Sequence, residues 1–525
     1  MAVGTALSRI TGLGRLAAAA YALGVTESRV ADTYNIANTL PNVIYELVLG
    51  GVLTGVFIPV IVEELRTKPK DEAWESVSSL VTTAMVLLVG ISLFAVVAAP
   101  IVIRLFTLRL SGATAHEQQN LATFFLRVFA PQIALYGYAA IAAALLNAHD
   151  RFAVPMFVPI LNNLVVIGAF LAFAGTVSGN PTLAGVGANA GQKWLLSAGT
   201  TAGVAVMAVA NWPYVRRLPG KLRMRLQFRH PAVRKLGRLS LWTFGYVISN
   251  QITFAVALVL ANGIQGGPTA YFTAFAFFQL PYGIAAVSIM TALVPTLAAQ
   301  YVDRDDDGFR ARTAGGLRAL ALLMIPATAA YLVLSRPLIR VLLEHGVMGE
   351  ASGRLVASTL DMLSLGLLPF SAFLLLLRAF YARQDTRTPL VVNLVSNAVY
   401  VVFCFALYEV WDVRGLALAH SICYATAAGV AAYLLAKRIG GLERTKTERE
   451  LLKIVLATVL SAAVMLTALW SISSVTTGDV RAVLQLVIGG GAGLAVYIAA
   501  ARALGVEDLS LFARLLPGRL RRLTR

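Results

Sequence analysis

Apolar stretches long enough to cross a membrane recur from one end of this chain to the other. A helix needs about 20 apolar residues to span the roughly 30 Å hydrocarbon core of a bilayer. Fourteen such stretches lie at approximately 5–24, 32–62, 77–103, 120–146, 152–176, 194–215, 239–263, 269–300, 319–335, 355–382, 388–408, 415–436, 454–471 and 482–501. The alternating pattern of a membrane β-barrel is not found. The chain is therefore predicted to be an all-α polytopic membrane protein with about 14 transmembrane helices.

Polar residues follow one side of the second span. At about 100° per residue, six of them and one glycine fall within an arc of about 120°: Asp32, Asn35, Thr39, Asn42, Glu46, Gly50 and Thr54. A carboxylate at membrane depth costs several kcal/mol unless it faces a bundle interior or a water-filled cavity. The second span is therefore predicted to line a wet cavity, with Asp32, Asn42 and Glu46 as candidate substrate ligands.

The first span is the least apolar and carries two arginines. Ser8, Arg9 and Arg15 lie on one polar flank centred on Gly12. Snorkelling of both arginines from a helix end is one interpretation. Arg15 lies well inside the apolar run, so anion coordination within the cavity is the favoured one.

Charge placement predicts topology rather than nucleic-acid binding. Charged residues make up 13% of the chain, against about a quarter in soluble domains. When alternate loops are assigned to opposite sides, 31 Lys and Arg residues fall on one side and 9 on the other. The positive-inside rule then places both termini in the cytoplasm. Arg514–Arg525 at the basic tail is predicted to attract anionic lipids.

An internal repeat predicts two lobes. Three residues near the junction of spans 4 and 5 recur about 234 residues later, since Asp150, Pro155 and Asn163 return as Asp385, Pro389 and Asn397. Each repeat holds six spans, so the two lobes are predicted to be parallel, with a C-terminal helix pair outside them. The predicted domains are an N-terminal lobe at 1–217, a basic cytoplasmic linker at 218–238, a C-terminal lobe at 239–438, and helices 13–14 with the tail at 439–525.

Two prolines and two further arginines complete the candidate residues within the spans. Pro41 and Pro281 are repeat-related, and each removes a backbone hydrogen bond inside a long span. They are predicted to be hinges; static kinks are the alternative. Arg127 and Arg378 leave the interior slightly cationic, which suits an anionic substrate. The sequence shows no catalytic constellation, metal-ligand spacing or Walker-type loop, so neither an enzyme nor an ATP-driven pump is expected.

Two groups of motifs resemble those of the MviN/MurJ lipid II flippases. The first group is Ser8-Arg9-Ile-Thr-Gly12-Leu-Gly-Arg15, Ala31-Asp32, Leu40-Pro41-Asn42 and Phe57-Ile-Pro59. The second is Arg378-x-Phe380-Tyr381-Ala382-x-x-Asp385-Thr-x-Thr388-Pro389. The resemblance implies movement of the undecaprenyl-pyrophosphate-linked peptidoglycan precursor from the inner to the outer leaflet of the bacterial cytoplasmic membrane by alternating access. It also implies a central cationic cavity and a groove for the polyprenyl tail beside helices 13 and 14.

The chain departs from this family pattern at three positions. Leu16, Glu46 (with Tyr45) and Ala276 stand where many members carry an acid or an arginine. Some relatives bind sodium between helices 7, 11 and 12. The amide oxygens available here for such an ion belong to Asn250, Asn393 and Asn397, with no carboxylate among them. No cofactor is predicted, and the expected driving force is the membrane potential or a coupling cation such as Na⁺ or H⁺.

Two other functions remain open from the sequence. One is export of another lipid-linked oligosaccharide or of drugs, and the other is a membrane scaffold for envelope assembly. A scaffold has no reason to bury Arg15, Asp32 and Glu46 at membrane depth. The expected partners are lipid II, anionic membrane lipids and cell-wall synthesis proteins, and nucleic acid is not among them.

Overall fold

The computed structural model describes residues 2–46, 58–220, 222–227 and 231–506, and these are helical over most of their length. The helices are α1 Ala2–Leu23, α2 Val30–Glu46, α3 Ile58–Thr67, α4 Lys70–Phe106, α5 Gly112–Phe129, α6 Gln132–Ala148, α7 Ala153–Ala174, α8 Leu183–Ala188, α9 Ala190–Arg216, α10 Pro231–Ala261, α11 Gly267–Pro281, α12 Val287–Val302, α13 Asp306–Leu343, α14 Glu350–Ser364, α15 Leu367–Ala382, α16 Arg387–Ile439, α17 Arg444–Ser473, α18 Gly478–Leu484 and α19 Gly490–Ala503. Short π-helical turns, Tyr282–Ala286 and Gln485–Gly489, join α11 to α12 and α18 to α19.

The helices have the length and composition of membrane spans. Within the described residues, nine helical segments are long and apolar enough to cross a bilayer, one of them made of α5 and α6 together, and a bent pair made of α14 and α15 is a tenth. The range α16 covers spans 11 and 12, which are two helices that meet at a kink at Asp412, where φ is 52° and ψ is −134°. Each of the fourteen predicted spans is mainly helical where the structure describes it. The prediction of an all-α polytopic membrane protein is confirmed.

The second predicted span is described in two parts. Helix α2 ends at Glu46 and α3 begins at Ile58, with Pro59 as its second residue. Gly50 and Thr54 of the polar arc lie outside the described residues. The same holds for part of the predicted linker and for the tail Arg514–Arg525.

The chain divides into two compact units. Unit 1 comprises Met1–Thr269 and His345–Ser352, and unit 2 comprises Ala270–Glu344 and Gly353–Arg525. One core of unit 1 gathers Trp74, Val77 and Leu146, whereas one core of unit 2 is built around Phe309 and Phe380. Burial of such side chains contributes about 1.5–3 kcal/mol each for those of Val, Leu or Phe size. The predicted lobe boundaries stay a prediction.

The internal repeat is visible in the backbone of each unit. Helices α5 and α6 are separated by two residues, and so are α14 and α15, about 235 residues later. After α6, Asp150 has φ 59° and the Arg151 N–H donates to the Leu146 carbonyl at 2.9 Å. After α15, Gln384 has φ 60° and the Asp385 N–H donates to the Phe380 carbonyl at 3.0 Å. The backbone therefore pairs Asp150 with Gln384, one residue away from the sequence pairing with Asp385.

Candidate functional site

A short polar segment, Glu27–Asp32, which runs from the α1–α2 connection into the first turn of α2, holds the ends of three helices in unit 1. Asp32 caps the N-terminus of α11. Its Oδ2 accepts the Gly266 N–H at 2.7 Å, and its Oδ1 accepts the Thr269 N–H at 3.1 Å and the Thr269 hydroxyl at 2.7 Å. The side chain is fully buried. Three donors and the positive end of the α11 dipole thus compensate the buried carboxylate.

Arg29 makes the complementary contact at the end of α10. Its Nη1 donates to the Asn262 carbonyl at 2.9 Å and its Nη2 to the Gly263 carbonyl at 3.4 Å. These carbonyls follow directly after α10, where the helix dipole is negative. A cation at the C-terminus of α10 and an anion at the N-terminus of α11 are therefore supplied by residues three positions apart.

Asn262 is anchored from its other side. Its Nδ2 donates to the Phe106 carbonyl at 3.0 Å, and its Oδ1 accepts from Gln118 Nε2 at 3.1 Å. Both Asn262 and Gln118 are fully buried. The end of α10 is thus tied to α4 and α5 as well as to Arg29, because buried amides are stable only when they are hydrogen-bonded.

Glu27 caps a third helix. Its carboxylate accepts the Gly349 N–H at 2.8 Å and the Ser352 hydroxyl at 2.7 Å, in the first turn of α14. It also accepts the Val25 N–H at 2.7 Å. The Thr26 N–H donates to Ser352 Oγ at 2.8 Å, so the two segments are fastened reciprocally.

Glycine is required where these segments approach closely. Gly266 has φ 82°, and a Cβ there would lie 2.8 Å from the Val25 carbonyl oxygen. Gly346 has φ 66°, and a Cβ there would clash with Tyr21. The neighbouring Val347 N–H donates to the Tyr21 carbonyl at 2.9 Å. Both positions therefore combine a left-handed backbone with a contact that leaves no space for a side chain.

The segment fastens the ends of α10, α11 and α14, and the sequence identified only part of this arrangement. Asp32 was predicted from its position in an apolar span. Glu27 and Arg29 were missed because charged residues in a connection between spans are ordinarily solvated. One feature of the sequence could have pointed to Glu27 and Arg29. They and Asp32 place three charges within six residues, next to a helix start, in an otherwise apolar region.

The predicted cationic flank of α1 lies in unit 1. The Ser8 carbonyl and the Thr11 hydroxyl both accept from Asn163 Nδ2, at 3.2 and 3.0 Å. The Gly12 side of α1 therefore packs toward α7, and Arg9 and Arg15 are half-buried on either side of it.

Arg15 faces the bundle interior. It acts electrostatically on the hydroxyls of Tyr34 and Tyr136, both of which are buried. The Tyr34 hydroxyl is in turn hydrogen-bonded to Thr200 Oγ1 at 2.9 Å. Arg15 thus lies in a polar cluster on α2, α6 and α9, as expected for a functional charge at membrane depth.

The remaining predicted ligands are dispersed. Asn42 is half-buried and donates to the Asn38 carbonyl at 2.7 Å, and Glu46 is the last residue of α2. Arg127 is exposed in the last turn of α5. Arg378 is exposed on α15 and belongs to unit 2. A single substrate site formed by all of these residues with Arg9 and Arg15 stays a prediction.

The two predicted hinges differ in their local structure. Pro41 lies inside α2, which continues for five residues beyond it. Pro281 is the last residue of α11 and is followed at once by the π-helical turn Tyr282–Ala286. Such turns are common at functional sites because they disturb the regular helical hydrogen bonding. Movement at either proline stays a prediction.

The three asparagines of the predicted ion site are divided between the two units. Asn250 is on α10 in unit 1, whereas Asn393 and Asn397 are one turn apart on α16 in unit 2. Asn393 is buried and its Nδ2 has no hydrogen-bond partner among the described residues. In the part of the chain that the structure describes, no three His, Cys, Asp or Glu side chains are placed to hold a metal ion. Sodium binding stays a prediction.

The fold defines the class of protein first. A solved structure titled "Lipid II flippase MurJ, inward closed conformation" superposes with a TM-score of 0.76 at 21% identity, covering 96% of this chain and 99% of the other. A multidrug resistance MATE family transporter of the MOP superfamily, inward-facing, superposes with a TM-score of 0.67 at 14% identity, covering 84% of this chain and 99% of that chain. The chain therefore has the fold of these all-α membrane transporters.

Sequence comparison identifies the family. The profile described as "Lipid II flippase MurJ" matches residues 19–489, and the chain belongs to this family of transporters, which are not catalytic enzymes. Among its relatives, the probable lipid II flippase MurJ of Haemophilus influenzae is 26% identical over 89% of this chain and 90% of that protein. The probable lipid II flippase MurJ of Rhizobium meliloti is 26% identical over 97% of this chain and 93% of its own length. The resemblance stated from the motifs is confirmed.

Proposed function

We propose that this chain moves lipid II from the inner to the outer leaflet of the cytoplasmic membrane by alternating access. The observation that carries the proposal is Arg15, a half-buried cation beside Tyr34 and Tyr136 inside an apolar bundle. A guanidinium there is costly unless it meets an anion. A pyrophosphate supplies the acceptor oxygens that guanidinium groups bind in bidentate pairs. Family membership supports the same cargo.

The Glu27–Asp32 segment supplies a closure that such a cycle requires. Alternating access needs one end of the cavity sealed while the other is open. Glu27, Arg29 and Asp32 seal by charge-assisted hydrogen bonds to helix ends. These bonds are strong when dry, yet water can take their place once the helix ends separate. The closure is therefore suited to two discrete states, fastened and released.

The substrate role of α1 is tested by rescue of a strain depleted of its own lipid II flippase. Arg9→Ala and Arg15→Ala are each expected to lower outer-leaflet lipid II at least about tenfold, since a lost hydrogen bond to a charged group costs about 1.5–3 kcal/mol. Arg15→Lys keeps the charge without the planar fork and is expected to give intermediate rescue. Lipid II accessible at the outer leaflet is measured directly, together with the amount of protein in the membrane.

Arg444→Ala is the matched control. Arg444 is exposed on α17 and paired with Glu448, so its loss is expected to leave rescue unchanged. Full rescue by both α1 variants would contradict pyrophosphate binding at this flank. Growth rescue by the unsubstituted chain without outer-leaflet lipid II would instead favour another lipid-linked cargo or a scaffold.

We also propose that both termini are cytoplasmic and that transport uses the membrane potential or a cation, with no cofactor. Ser178→Cys lies in an exposed loop on the predicted outer side, and Thr445→Cys is exposed on the predicted inner side. In a background lacking Cys404 and Cys423, an impermeant thiol reagent is expected to label Ser178→Cys in intact cells. Thr445→Cys is expected to react only after permeabilisation, and the reverse pattern would overturn the orientation. Anionic lipids at the basic tail and cell-wall synthesis proteins are further partners that the charge pattern and family membership support.

A further inference from the structure

A buried histidine lies among aromatic rings within unit 2, and the proposed transport path does not use it. His420 belongs to the second of the two helices in α16, and its side chain is 8% exposed. Its ring centroid lies 4.8–6.3 Å from the centroids of five rings on α11, α15 and both helices of α16, which are Phe275, Phe278, Phe370, Tyr400 and Tyr424. These six side chains form the His420 cluster, in which aromatic rings from three segments surround one imidazole.

The imidazole of His420 is not fully hydrogen-bonded. Its Nδ1 is buried and has no hydrogen-bond partner among the described residues. A neutral imidazole has one nitrogen that donates and one that accepts, so an unpaired Nδ1 is a desolvated polar atom without compensation. A phenylalanine ring would fill nearly the same space without this cost. An ionisable side chain that is kept at such a cost inside an apolar helix bundle indicates a functional position.

The helices around His420 supply no charged partner for it. The titratable side chains in or beside the His420 cluster are hydroxyls and thiols, namely Tyr271, Tyr282, Tyr400, Cys404, Cys423 and Tyr424. Helix α11 carries no charged residue, Asp361 of α14 is hydrogen-bonded to Ser335 of α13, and Arg378 of α15 is exposed. Among the described residues, no charged side chain acts on the imidazole. A protonated His420 would therefore have neither a counter-ion nor water while the cluster is closed.

Different contacts hold the two sides of the His420 cluster. Ser421, the residue after His420, donates to the Met362 carbonyl at the end of α14 at 2.7 Å, which ties the second helix of α16 to the backbone of α14. Helix α11 meets α16 through ring contacts and through the Tyr271 hydroxyl, which lies 3.1 Å from the Tyr400 hydroxyl. Ring contacts are non-directional, so α11 can separate from α16 and return without breaking backbone hydrogen bonds.

The end of α11 is built to change direction. Helix α11 ends at Pro281 and continues into the π-helical turn Tyr282–Ala286. The Tyr282 ring lies 4.8 Å from the ring of Phe370, which belongs to the His420 cluster. Prolines and π-helical turns both interrupt the regular hydrogen bonding of a helix and allow it to bend. A bend at this turn would move the α11 rings away from His420.

We propose that His420 is a proton-binding site whose occupancy is linked to opening of the His420 cluster. While the rings are closed around it, the imidazole is neutral. When α11 separates from α16, water reaches the imidazole and its unprotonated nitrogen takes up a proton, which returns to water when the cluster closes. Because the open cluster binds the proton more tightly, a fall in pH favours the open cluster and a rise in pH favours the closed one. The ligand of this site is H⁺.

The two cysteines of the chain are natural reporters of this opening. Cys404 lies one helical turn after Tyr400, Cys423 lies nearly one turn after His420, and both thiols are buried. A small reagent such as methyl methanethiosulfonate reacts with a buried thiol only when the surrounding structure opens. The full-length protein in a nonionic detergent is treated at a series of pH values. Each rate is divided by the rate of the same thiols in the denatured chain at that pH, which removes the effect of pH on the thiol itself.

The normalised rate is expected to rise about tenfold between about pH 7.5 and pH 5.5, because an imidazole exposed to water has a pKa of about 6.5. His420→Gln stays polar but does not titrate, and His420→Phe keeps a ring of similar size, so neither is expected to show the rise. His149→Gln is the matched control. His149 also lies beside an aromatic ring, with the Trp74 centroid at 5.8 Å, but its Nδ1 is hydrogen-bonded to the Leu145 carbonyl at 2.8 Å. This variant is expected to keep the rise.

The pH profiles of the four proteins decide the proposal. A rise in the unsubstituted chain and in His149→Gln that is lost in both His420 variants supports proton binding at His420. A flat profile in the unsubstituted chain would overturn the proposal, and so would an equal rise in either His420 variant. A rise that disappears in His149→Gln would assign the effect to unit 1 and overturn the proposal as well. No lipid II is present in the experiment, so its failure is independent of the proposed transport function.

Discussion

Asp32 and Asp385 each cap the N-terminus of a helix, and they lie in different compact units. Asp32 caps α11 in unit 1 and is fully buried. Asp385 caps α16 in unit 2 by accepting the Arg387 and Thr388 N–H groups, each at 3.0 Å, and it also pairs with Arg438. The Asp385 side chain is 19% exposed, at a turn that Arg438 covers only partly. Both carboxylates accept backbone N–H groups at a helix N-terminus, and their access to water differs.

That difference decides what each cap is suited to do. Around Asp385 water can replace a lost hydrogen bond, so a change at Arg438 or Thr388 is tolerated. This cap therefore only stabilises the start of α16. At Asp32 no water is available while the α1–α2 segment is packed against the start of α11. The carboxylate therefore either keeps all its hydrogen-bond donors or becomes exposed to water together with them. A dry cap therefore favours two discrete states, which is the property that a transporter closure needs.

The largest effect is expected from removing the Asp32 charge. Asp32→Asn keeps the shape of the side chain but replaces one carboxylate oxygen with an NH₂ group. Only one oxygen is then left to accept the three donors, and the new NH₂ donor lies beside them. Each hydrogen bond to the charged group contributes about 1.5–3 kcal/mol, so outer-leaflet lipid II in the depletion strain is expected to fall at least about tenfold. Asp385→Asn is the matched substitution and is expected to change transport by less than about twofold.

Equal losses from the two variants, at equal protein levels in the membrane, would contradict the contrast between the caps. Asp32→Glu adds an independent check. It keeps the charge and lengthens the side chain, so it is expected to retain more transport than Asp32→Asn if capping of α11 is what matters.

Much of the fold follows from the apolar spans, because a continuous apolar run satisfies its own backbone inside a bilayer only as a helix. The positions of α7, α13 and α17 were predictable for that reason. The interruption of α16 at Asp412 was predicted only as a loop between two spans, since a single left-handed residue leaves no mark in a hydropathy pattern. The two-residue breaks inside the α5–α6 and α14–α15 pairs were missed for the same reason.

The candidate site was predictable where a charge lay inside a span. Arg15 and Asp32 stand out because an apolar background makes a charged residue costly. Glu27 and Arg29 lie in a loop, where charge costs little, and their partners are more than 230 residues away in the chain. Contacts at such a separation depend on the tertiary fold, and a single sequence carries no signal for them.

A smaller effect is expected at the glycine opposite Asp32. Gly266→Ala adds a methyl group 2.8 Å from the Val25 carbonyl in a backbone with φ 82°. Gly112→Ala is the control, because Gly112 has φ 69° with open space around a Cβ. Left-handed strain alone costs about 1–2 kcal/mol and is common to both. Gly266→Ala is expected to lower lipid II transport several-fold further than Gly112→Ala. Identical transport by the two variants would argue that Gly266 is needed only for its positive φ and not for the close contact with Val25.

The smallest effect concerns the pH dependence of the exposed cap. Partial burial alone would raise the pKa of Asp385, but hydrogen bonds from Thr388 and the Arg438 guanidinium lower it to about 2, from an ordinary value of 3.8. A carboxyl with a depressed pKa stabilises the folded state fully above its unfolded pKa, and this contribution is lost as pH falls toward the folded pKa.

Asp385 is therefore expected to stabilise the purified protein above about pH 4 and to lose its effect between about pH 4 and pH 2. The difference in thermal stability between the unsubstituted chain and Asp385→Asn, followed in detergent, is expected to be about 1 kcal/mol at neutral pH and to shrink over that window. Glu448→Gln removes an exposed carboxylate paired along one helix face and is expected to show a smaller difference. If the difference in thermal stability between the unsubstituted chain and Asp385→Asn stays constant from pH 6 to pH 2, the cap contributes through shape rather than charge. Asp32 and Asp385 would then differ in how they stabilise a helix start as well as in burial.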